Sequence, residues 1–562
     1  MASRQANRRI RLLLVVFCLV FAGTLARAFW LQGVRAASLS RMAQSQHRET
    51  VAIPASRGTV YDRTGVQLAI GEQATTVYAD PRAVTDALGI ARAAQQIFGK
   101  QVVDANALYP ELLDKSKAFV YVVRKADPDQ AALLAKRGFD GLGFYPEERR
   151  AYPQHTVAAS LLGYAGIDNQ GVAGLEYGYD RFLRGKPGVE TIVKDPFGRA
   201  LDTVSSKPVQ EGSDVFLTID HTIQAEAESV LRQTLREWGG KSASAIVLDP
   251  RTGEVLAMAD APGYDANSFS TVNPAISRNR AVTDQYEPGS TFKLVTVSGA
   301  LADHLVTPST KFVLPYEIKV ADRWIHDAEQ RGTETMTVAK ILTHSSNVGA
   351  ITLAEKLGGA RLEQWMGRWG FGRPTGIDYP GEGTGSVLPL DKWSGSTIGN
   401  VPIGQGVAVT PIQMAAAYAA VANGGVWTRP HLVERVAGHP LPKPERRRIL
   451  PAAVDAQVSA MLANVVADGT GVEVQIPGYK VAGKTGTAQV PDAAGGYSAG
   501  KYVASFVGYV PASKPRLVVL VKVQEPTKAI WGGTVAAPAF AEIARFCLQY
   551  LEIPPDAPAQ AR

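Results

Sequence analysis

The chain has 562 residues, 46% apolar and 20% charged, a balance that excludes a disordered polymer and exceeds what one ordinary core holds, so two or more domains are expected. Its formal charge of +7 suggests nucleic acid, but eight arginines and no acid fall in the first 48 residues, which leaves 51 basic against 52 acidic residues elsewhere. A nucleic-acid partner is therefore excluded, and Arg446-Arg447-Arg448 reads as a solvated loop.

The first predicted element is Leu12–Leu31, LLLVVFCLVFAGTLARAFWL, apolar and long enough to cross a bilayer as a helix. Arg27 can reach the headgroups and Trp30 suits the interface, while Arg4, Arg8, Arg9 and Arg11 predict that residues 1–11 stay cytoplasmic and the bulk lies outside. Ala26-Arg27-Ala28 has the shape of a signal-peptide cleavage site, a rival reading. The apolar run continues past it through Phe29, Trp30 and Leu31, which favours an uncleaved anchor over 12–31. Of the two cysteines, Cys18 lies in this segment and Cys547 near the far end, so neither a disulfide framework nor a Cys-rich metal site is available.

A helix-like stretch follows to about Arg48, then Val51-Ala52-Ile53-Pro54 reads as extended. Residues 50–235 mix short strands, turns and charged helices and hold two notable segments, Arg57–Gly65 and Gly171–Glu176, but no nucleophile–base pair. They predict a structural or docking domain held by Arg–Asp and Arg–Glu pairs. From Gly239 the pattern changes: Ser244–Leu248 and Glu254–Met258 flank the turn Asp249–Gly253 as a hairpin. A helix should begin near Pro288-Gly289 and carry Ser290 in its first turn. Thr410-Pro411 opens another that runs to Asn423-Gly424-Gly425, with Thr as N-cap and Pro at the first helical position. Strands are predicted at Lys484–Thr487, Val503–Tyr509 and Leu517–Val521, the last central because its β-branched run is continuous. A closing helix spans about 537–550, and the Pro- and Ala-rich tail after it is expected to be disordered.

The chemistry rests on three short motifs in order: Ser290-Thr291-Phe292-Lys293, Ser345-Ser346-Asn347 and Lys484-Thr485-Gly486. Serine and lysine three apart share one helix face, which sets a base beside a nucleophile without any histidine. Singly, each motif is weak. Ser498…Lys501 repeats the first spacing in a glycine-rich stretch, and Ser277-Arg278-Asn279 repeats the second upstream of the nucleophile. Order and spacing together point to acyl transfer. A serine hydroxyl needs a base, and Lys293 can serve only if burial and a second cation, Lys484, lower its pKa. Lys484 can also meet a substrate carboxylate. Ser345 is placed to relay a proton and Asn347 to hold a substrate amide, while Gly486, lacking a side chain, lets a peptide lie along its strand. The N–H groups of Ser290 and Thr487 would hold the oxyanion. His344 reads as structural, and His326-Asp327 suggests a relay or a metal but has no partner cluster.

With these residues in place, the chain resembles the class B penicillin-binding proteins, monofunctional peptidoglycan DD-transpeptidases. The resemblance runs from the anchor to about residue 545 and includes Arg57–Gly65, Gly171–Glu176, Leu248–Gly253, Glu287–Lys293, Ser345–Asn347, Gly404-Gln405-Gly406 and Lys484–Gln489. It implies one transmembrane helix, an elongated α+β pedestal over 32–235, a transpeptidase domain of the serine β-lactamase-like α/β fold over 236–550 (an antiparallel sheet flanked by helices), and a tail over 551–562. It also implies roles: Ser290 acylated, Lys293 the base, Ser345 and Asn347 in the second motif, Lys484 catalytic, and Thr485, Gly486 and Thr487 binding substrate. No metal or cofactor is implied. The substrate would be D-Ala-D-Ala stem peptides, with β-lactams acylating the same serine. Tyr286–Lys293 and Ser345–Gly349 resemble the division-specific, FtsI-type branch, which implies a septal location in the cell membrane, a SEDS-type, FtsW-like glycosyltransferase partner and other divisome membrane proteins. The alternatives are an elongation-type transpeptidase, a hydrolase such as a DD-carboxypeptidase or β-lactamase, and a β-lactam-binding scaffold or sensor.

Overall fold

The computed structural model describes residues 2–38, 48–194, 200–492 and 494–557, so the juxtamembrane helix expected to reach Arg48 lies outside the described residues from position 39. The chain divides into two compact units, Met1–Ser56 with Gly185–Glu211, and Arg57–Arg184 with Gly212–Arg562.

In the first unit a helix over Ala2–Phe29 continues as a π-helical stretch over Trp30–Val34. Asn7–Val34 is long and apolar enough to cross a membrane and buries none of that surface in the protein. An apolar helix that none of the described residues cover calls for another apolar medium, which fits a single-pass membrane anchor. The unit also holds a three-stranded antiparallel sheet in which Gly188–Lys194 runs between Arg48–Ile53 and Ala200–Lys207.

The second unit begins with buried charge. Arg57 donates from Nε to Glu176 Oε2 at 2.7 Å and from Nη1 to Asp180 Oδ1 at 2.7 Å, and Arg150 Nε donates to the other Glu176 oxygen at 2.6 Å. Arg57, Arg150 and Glu176 are all buried. The expected Arg–Glu and Arg–Asp pairs are thus one network that joins segments more than 100 residues apart. Asp62 closes the neighbouring turn by accepting from the N–H groups of Thr64 and Val66, and its second oxygen meets the His221 ring at 2.6 Å. Asp62, Asp220 and His221 form a group of metal-ligand types, but both Asp62 oxygens are already engaged in fixing this turn. Beyond it Gln67–Ala79 pairs with Val120–Ala126 on one edge and Leu142–Ala151 on the other, and three helices bury Ile90, Leu112 and Leu134 against Val77.

A five-stranded antiparallel sheet organises the rest, in the order 255–261, 242–248, 517–524, 497–510, 482–491. The predicted hairpin forms its first two strands, and Leu517–Gln524 is the middle strand. Side chains alternate between faces, so each strand feeds two cores. Ala245, Val247, Val519 and Val521 pack with the helices His221–Trp238 and Ala537–Tyr550, while Ile246, Leu248, Val518 and Leu520 pack toward the helix Pro411–Ala422. That last helix begins as predicted, with a Thr410–Gln413 capping box and Pro411 at its start.

Several expectations need correction. The boundary expected between 235 and 236 falls inside the helix His221–Trp238, whose Ile223, Ala227 and Leu231 belong to the sheet's core, so that helix goes with the sheet. Arg446–Arg448 is not a loop but a short strand paired with Val426–Thr428, its central guanidinium lying over the Trp427 ring. The tail expected to be disordered from 551 is held as far as Ala557, because Asp556 accepts from the N–H groups of Lys480 and Ser513; residues 558–562 lie outside the described residues.

Candidate active site

The nucleophile candidate does not sit in an α-helix. Gly289–Phe292 is a 3-10 turn, and the α-helix starts at Lys293 and runs to Ala302. Gly289 explains the turn: its φ of +56° is a left-handed value that glycine adopts without a steric penalty. The turn is fixed on several sides. The Gly289 N–H donates to the Gly404 carbonyl, and the buried Tyr418 hydroxyl donates to Thr291 O at 3.0 Å. Glu287 accepts from Gly406 N–H at 2.9 Å and from the Tyr497 hydroxyl at 3.0 Å. The Gly404-Gln405-Gly406 segment therefore serves as a brace behind the serine turn.

At the start of the α-helix, directly after the serine turn, Lys293 is fully buried. Its Nζ donates to Ser345 O at 2.5 Å, Ser345 Oγ at 3.1 Å and Asn347 Oδ1 at 2.8 Å, so the first and second motifs meet on one amine. Ser345 occupies the junction between the helices Val338–Thr343 and Asn347–Leu357, with Ser346 capping the second through Gly349 N–H. That junction forces Ser345 to a φ of +57°, a strained conformation for a residue with a side chain. Burial pulls the Lys293 ammonium down to about 7, although the Asp327 carboxylate opposes the fall. At neutral pH a substantial fraction of Lys293 is the free amine, the form a base requires.

The third motif lies on the strand Ala482–Pro491, which ends the sheet and has no strand partner on its outer edge among the described residues. Lys484 is fully buried and donates to the hydroxyls of Thr470 and Thr485, each at 3.2 Å. Burial first, and then the neighbouring Lys293 charge, push it well below the ordinary lysine range. The Lys293 charge thus depresses Lys484, whereas the fall of Lys293 itself comes from burial, so the expected lowering of Lys293 by a second cation is replaced by desolvation. Gly486 has a tighter reason to be glycine than the one expected: a Cβ there would fall 2.7 Å from Pro288 O and 2.4 Å from Ser505 Oγ. Its bare Cα lets the strand close on the serine turn. Thr487 accepts the Gly532 N–H at 3.0 Å. The decoy Ser498…Lys501 lies on the strand Tyr497–Val510, where positions three apart face opposite sides.

A family model for the penicillin binding protein transpeptidase domain matches residues 243–545, and one for the penicillin-binding protein dimerisation domain matches residues 52–217. The chain belongs to the class B penicillin-binding proteins. It is 33% identical to the probable peptidoglycan D,D-transpeptidase PbpC of Pseudomonas aeruginosa, over 99% of this chain and 97% of that one. It is also 33% identical to the peptidoglycan D,D-transpeptidase FtsI of Escherichia coli K12, over 98% and 93%. The crystal structure of penicillin binding protein 3 from Mycobacterium tuberculosis complexed with aztreonam matches with a TM-score of 0.70 at 28% identity, covering 91% of this chain and 100% of that one. Membership makes this penicillin-binding protein a serine-type transpeptidase, an acyl-transfer enzyme. Two of its site residues escaped the sequence reading. Glu287 was visible only as part of the first motif's flank, and Asp327 only as half of a His-Asp pair. Both are buried carboxylates that hold backbone N–H groups, a role with no short-range signature.

Proposed function

We propose that this penicillin-binding protein cross-links peptidoglycan through a Ser290 acyl-enzyme. The free amine of Lys293 takes the Ser290 proton as its oxygen attacks the penultimate D-Ala carbonyl of a stem peptide, and the N–H groups of Ser290 and Thr487 hold the oxyanion. Ser345 returns the proton to the leaving D-Ala amine. An amine of a neighbouring stem then attacks the ester and frees the serine. Asn347 holds the second motif on Lys293, and Lys484 faces the substrate carboxylate while Thr485, Gly486 and Thr487 present the open strand edge to the peptide. One observation carries this reading: the buried Lys293 amine ringed by Ser345 and Asn347 within 3.1 Å.

The pedestal serves as a docking module rather than a second catalytic centre. The N-terminal helix holds the protein in the cell membrane with residues 1–11 cytoplasmic, in keeping with the arginines that precede it. The FtsI-like first and second motifs favour septal synthesis beside a SEDS-type, FtsW-like glycosyltransferase and other divisome membrane proteins. A tagged protein that decorates the lateral wall instead of the septum would favour the elongation-type reading.

The enzymatic reading is tested by intact mass after exposure to a labelled penicillin. Wild type is expected to carry a long-lived adduct and Ser290→Ala none. An adduct on both would remove Ser290 from the mechanism, and rapid adduct loss would indicate a hydrolase.

A further inference from the structure

Asp327 follows the strand Arg323–His326 and is only 5% exposed. Its Oδ1 accepts from the N–H groups of Asn347 at 2.5 Å and Val348 at 3.0 Å, and the Ser346 hydroxyl lies 3.0 Å from both carboxylate oxygens. Arg331 anchors it from behind, through Nε at 2.9 Å and Nη2 at 2.5 Å, and is itself fixed by the carbonyls of Leu314, Pro315 and Gly332. One carboxylate therefore grips residues 346, 347 and 348 from one side while Lys293 grips Ser345 and Asn347 from the other. The Asn347 amide is tied to the same loop, because its Nδ2 donates to His326 O at 3.0 Å. The strained Ser345 lies between these two grips.

We propose that Asp327 is a positioning residue for Lys293, acting through the Ser345–Asn347 turn. It touches no reacting atom. It fixes the turn whose three oxygens receive the Lys293 amine, and its negative charge favours the ammonium that burial disfavours. The charge that acts on Lys293 is that of Asp327, while Lys484 on the third-motif strand is itself depressed by the Lys293 charge. Behind Asp327 stand Arg331, with Glu334 beyond it, and the His326 ring, which contacts the Tyr316 hydroxyl and Asp327 O. The inference rests on the reading of Lys293 as the base.

The test is the pH profile of acylation by a labelled penicillin, measured on the full chain for wild type, Asp327→Asn and Arg331→Gln, each checked by thermal unfolding. Asp327→Asn removes both the grip and the charge. Its plateau rate is expected to fall by roughly tenfold, and its acid limb to move to lower pH by about one unit. Arg331→Gln leaves the carboxylate without its cation, so its limb should move to higher pH. Opposite shifts are something a purely structural residue would not produce. His326→Gln in parallel separates any titration of that ring, and its limb is expected to stay with wild type. A flat wild-type profile would overturn the reading of Lys293 and this inference with it. A wild-type limb that stays in place in both variants would overturn the inference alone. Where Asp327→Asn does not fold, Arg331→Gln decides: an upward shift supports the proposal and an unmoved limb ends it.

Discussion

A Cβ placed on Gly289 would lie 2.7 Å from the carbonyl oxygen of Thr487, so the serine turn and the third-motif strand meet at a distance that only a glycine permits. The same glycine holds a φ of +56° and donates its N–H to the carbonyl of Gly404, whose own Cβ would fall 2.1 Å from Gly289 O. First motif, third motif and brace are thereby locked together by absent side chains. Gly289→Ala must pay the left-handed backbone cost of ~1 kcal/mol and also push the strand away. We expect a folded protein with a lowered thermal midpoint and an acylation rate down by at least ~100-fold, since a shift of about 1 Å at reacting atoms costs that much. Stopped-flow acylation beside a thermal melt checks both; an unchanged rate would mean that the close approach does not position Ser290.

The burial of Lys293 predicts a pH dependence for the unmodified enzyme. Its pKa is brought down to about 7, so the free amine is the minor form below that value and the major form above it. Acylation should rise about tenfold per pH unit below 7 and level off above it, since the ordinary lysine value would delay the plateau to beyond pH 10. The second-order rate constant with a penicillin across pH 5–9 provides the measurement. A rate still climbing steeply between pH 8 and 9 would assign the base to a less buried group.

Much of this was legible in the sequence because the signals were local. The capping box at Thr410–Gln413, the hairpin around Asp249–Gly253 and the β-branched run at Leu517–Val521 each follow from neighbours within a few residues. The three motifs could be ordered for the same reason. What remained hidden depends on contacts between distant segments. Asp327 acts on residues 19 to 21 positions away, and Glu287 on Gly406, 119 away. The 3-10 turn at Ser290 was missed because its cause is the approach of Thr487 and Gly404, not any preference of Gly-Ser-Thr-Phe. Arg446–Arg448 looked like solvated loop because its strand partner lies some 20 residues earlier.

Glu228 gives a stability prediction of definite sign. It sits on the helix His221–Trp238, accepts from Ala158 N–H and Gln224 Nε2, and is pushed up to about 7 chiefly by burial. Between its ordinary value near 4.5 and about 7 the folded protein therefore holds a proton that the unfolded chain has lost. That contribution is fully present below 4.5 and fades as pH rises through 7. Glu228→Gln mimics the protonated form and keeps an acceptor for Ala158. It should leave stability nearly unchanged at pH 5 and raise it by ~1–3 kcal/mol at pH 8. Denaturant melts at the two pH values decide; equal effects at both would place the cause in packing rather than charge.

The buried network at Arg57 predicts an asymmetry between breaking a charge set and replacing it. Glu176 lies between two buried guanidiniums, bonded to Arg57 through one oxygen and to Arg150 through the other. Removing it strands two buried cations, of which Arg57 keeps Asp180 while Arg150 keeps only the Gly58 carbonyl among its described bonds. Glu176→Ala should cost about 3–5 kcal/mol, within the range measured for a buried pair left half-made. Adding Arg150→Met to that variant removes one stranded cation and should recover part of the loss. A double-variant midpoint below that of Glu176→Ala would show that Arg150 contributes packing which the apolar side chain cannot replace. The catalytic readout separates the two levels of structure. The Ser290 turn and its partners draw none of their hydrogen bonds from Glu176, so penicillin acylation measured well below the melting temperature should stay within about twofold of wild type.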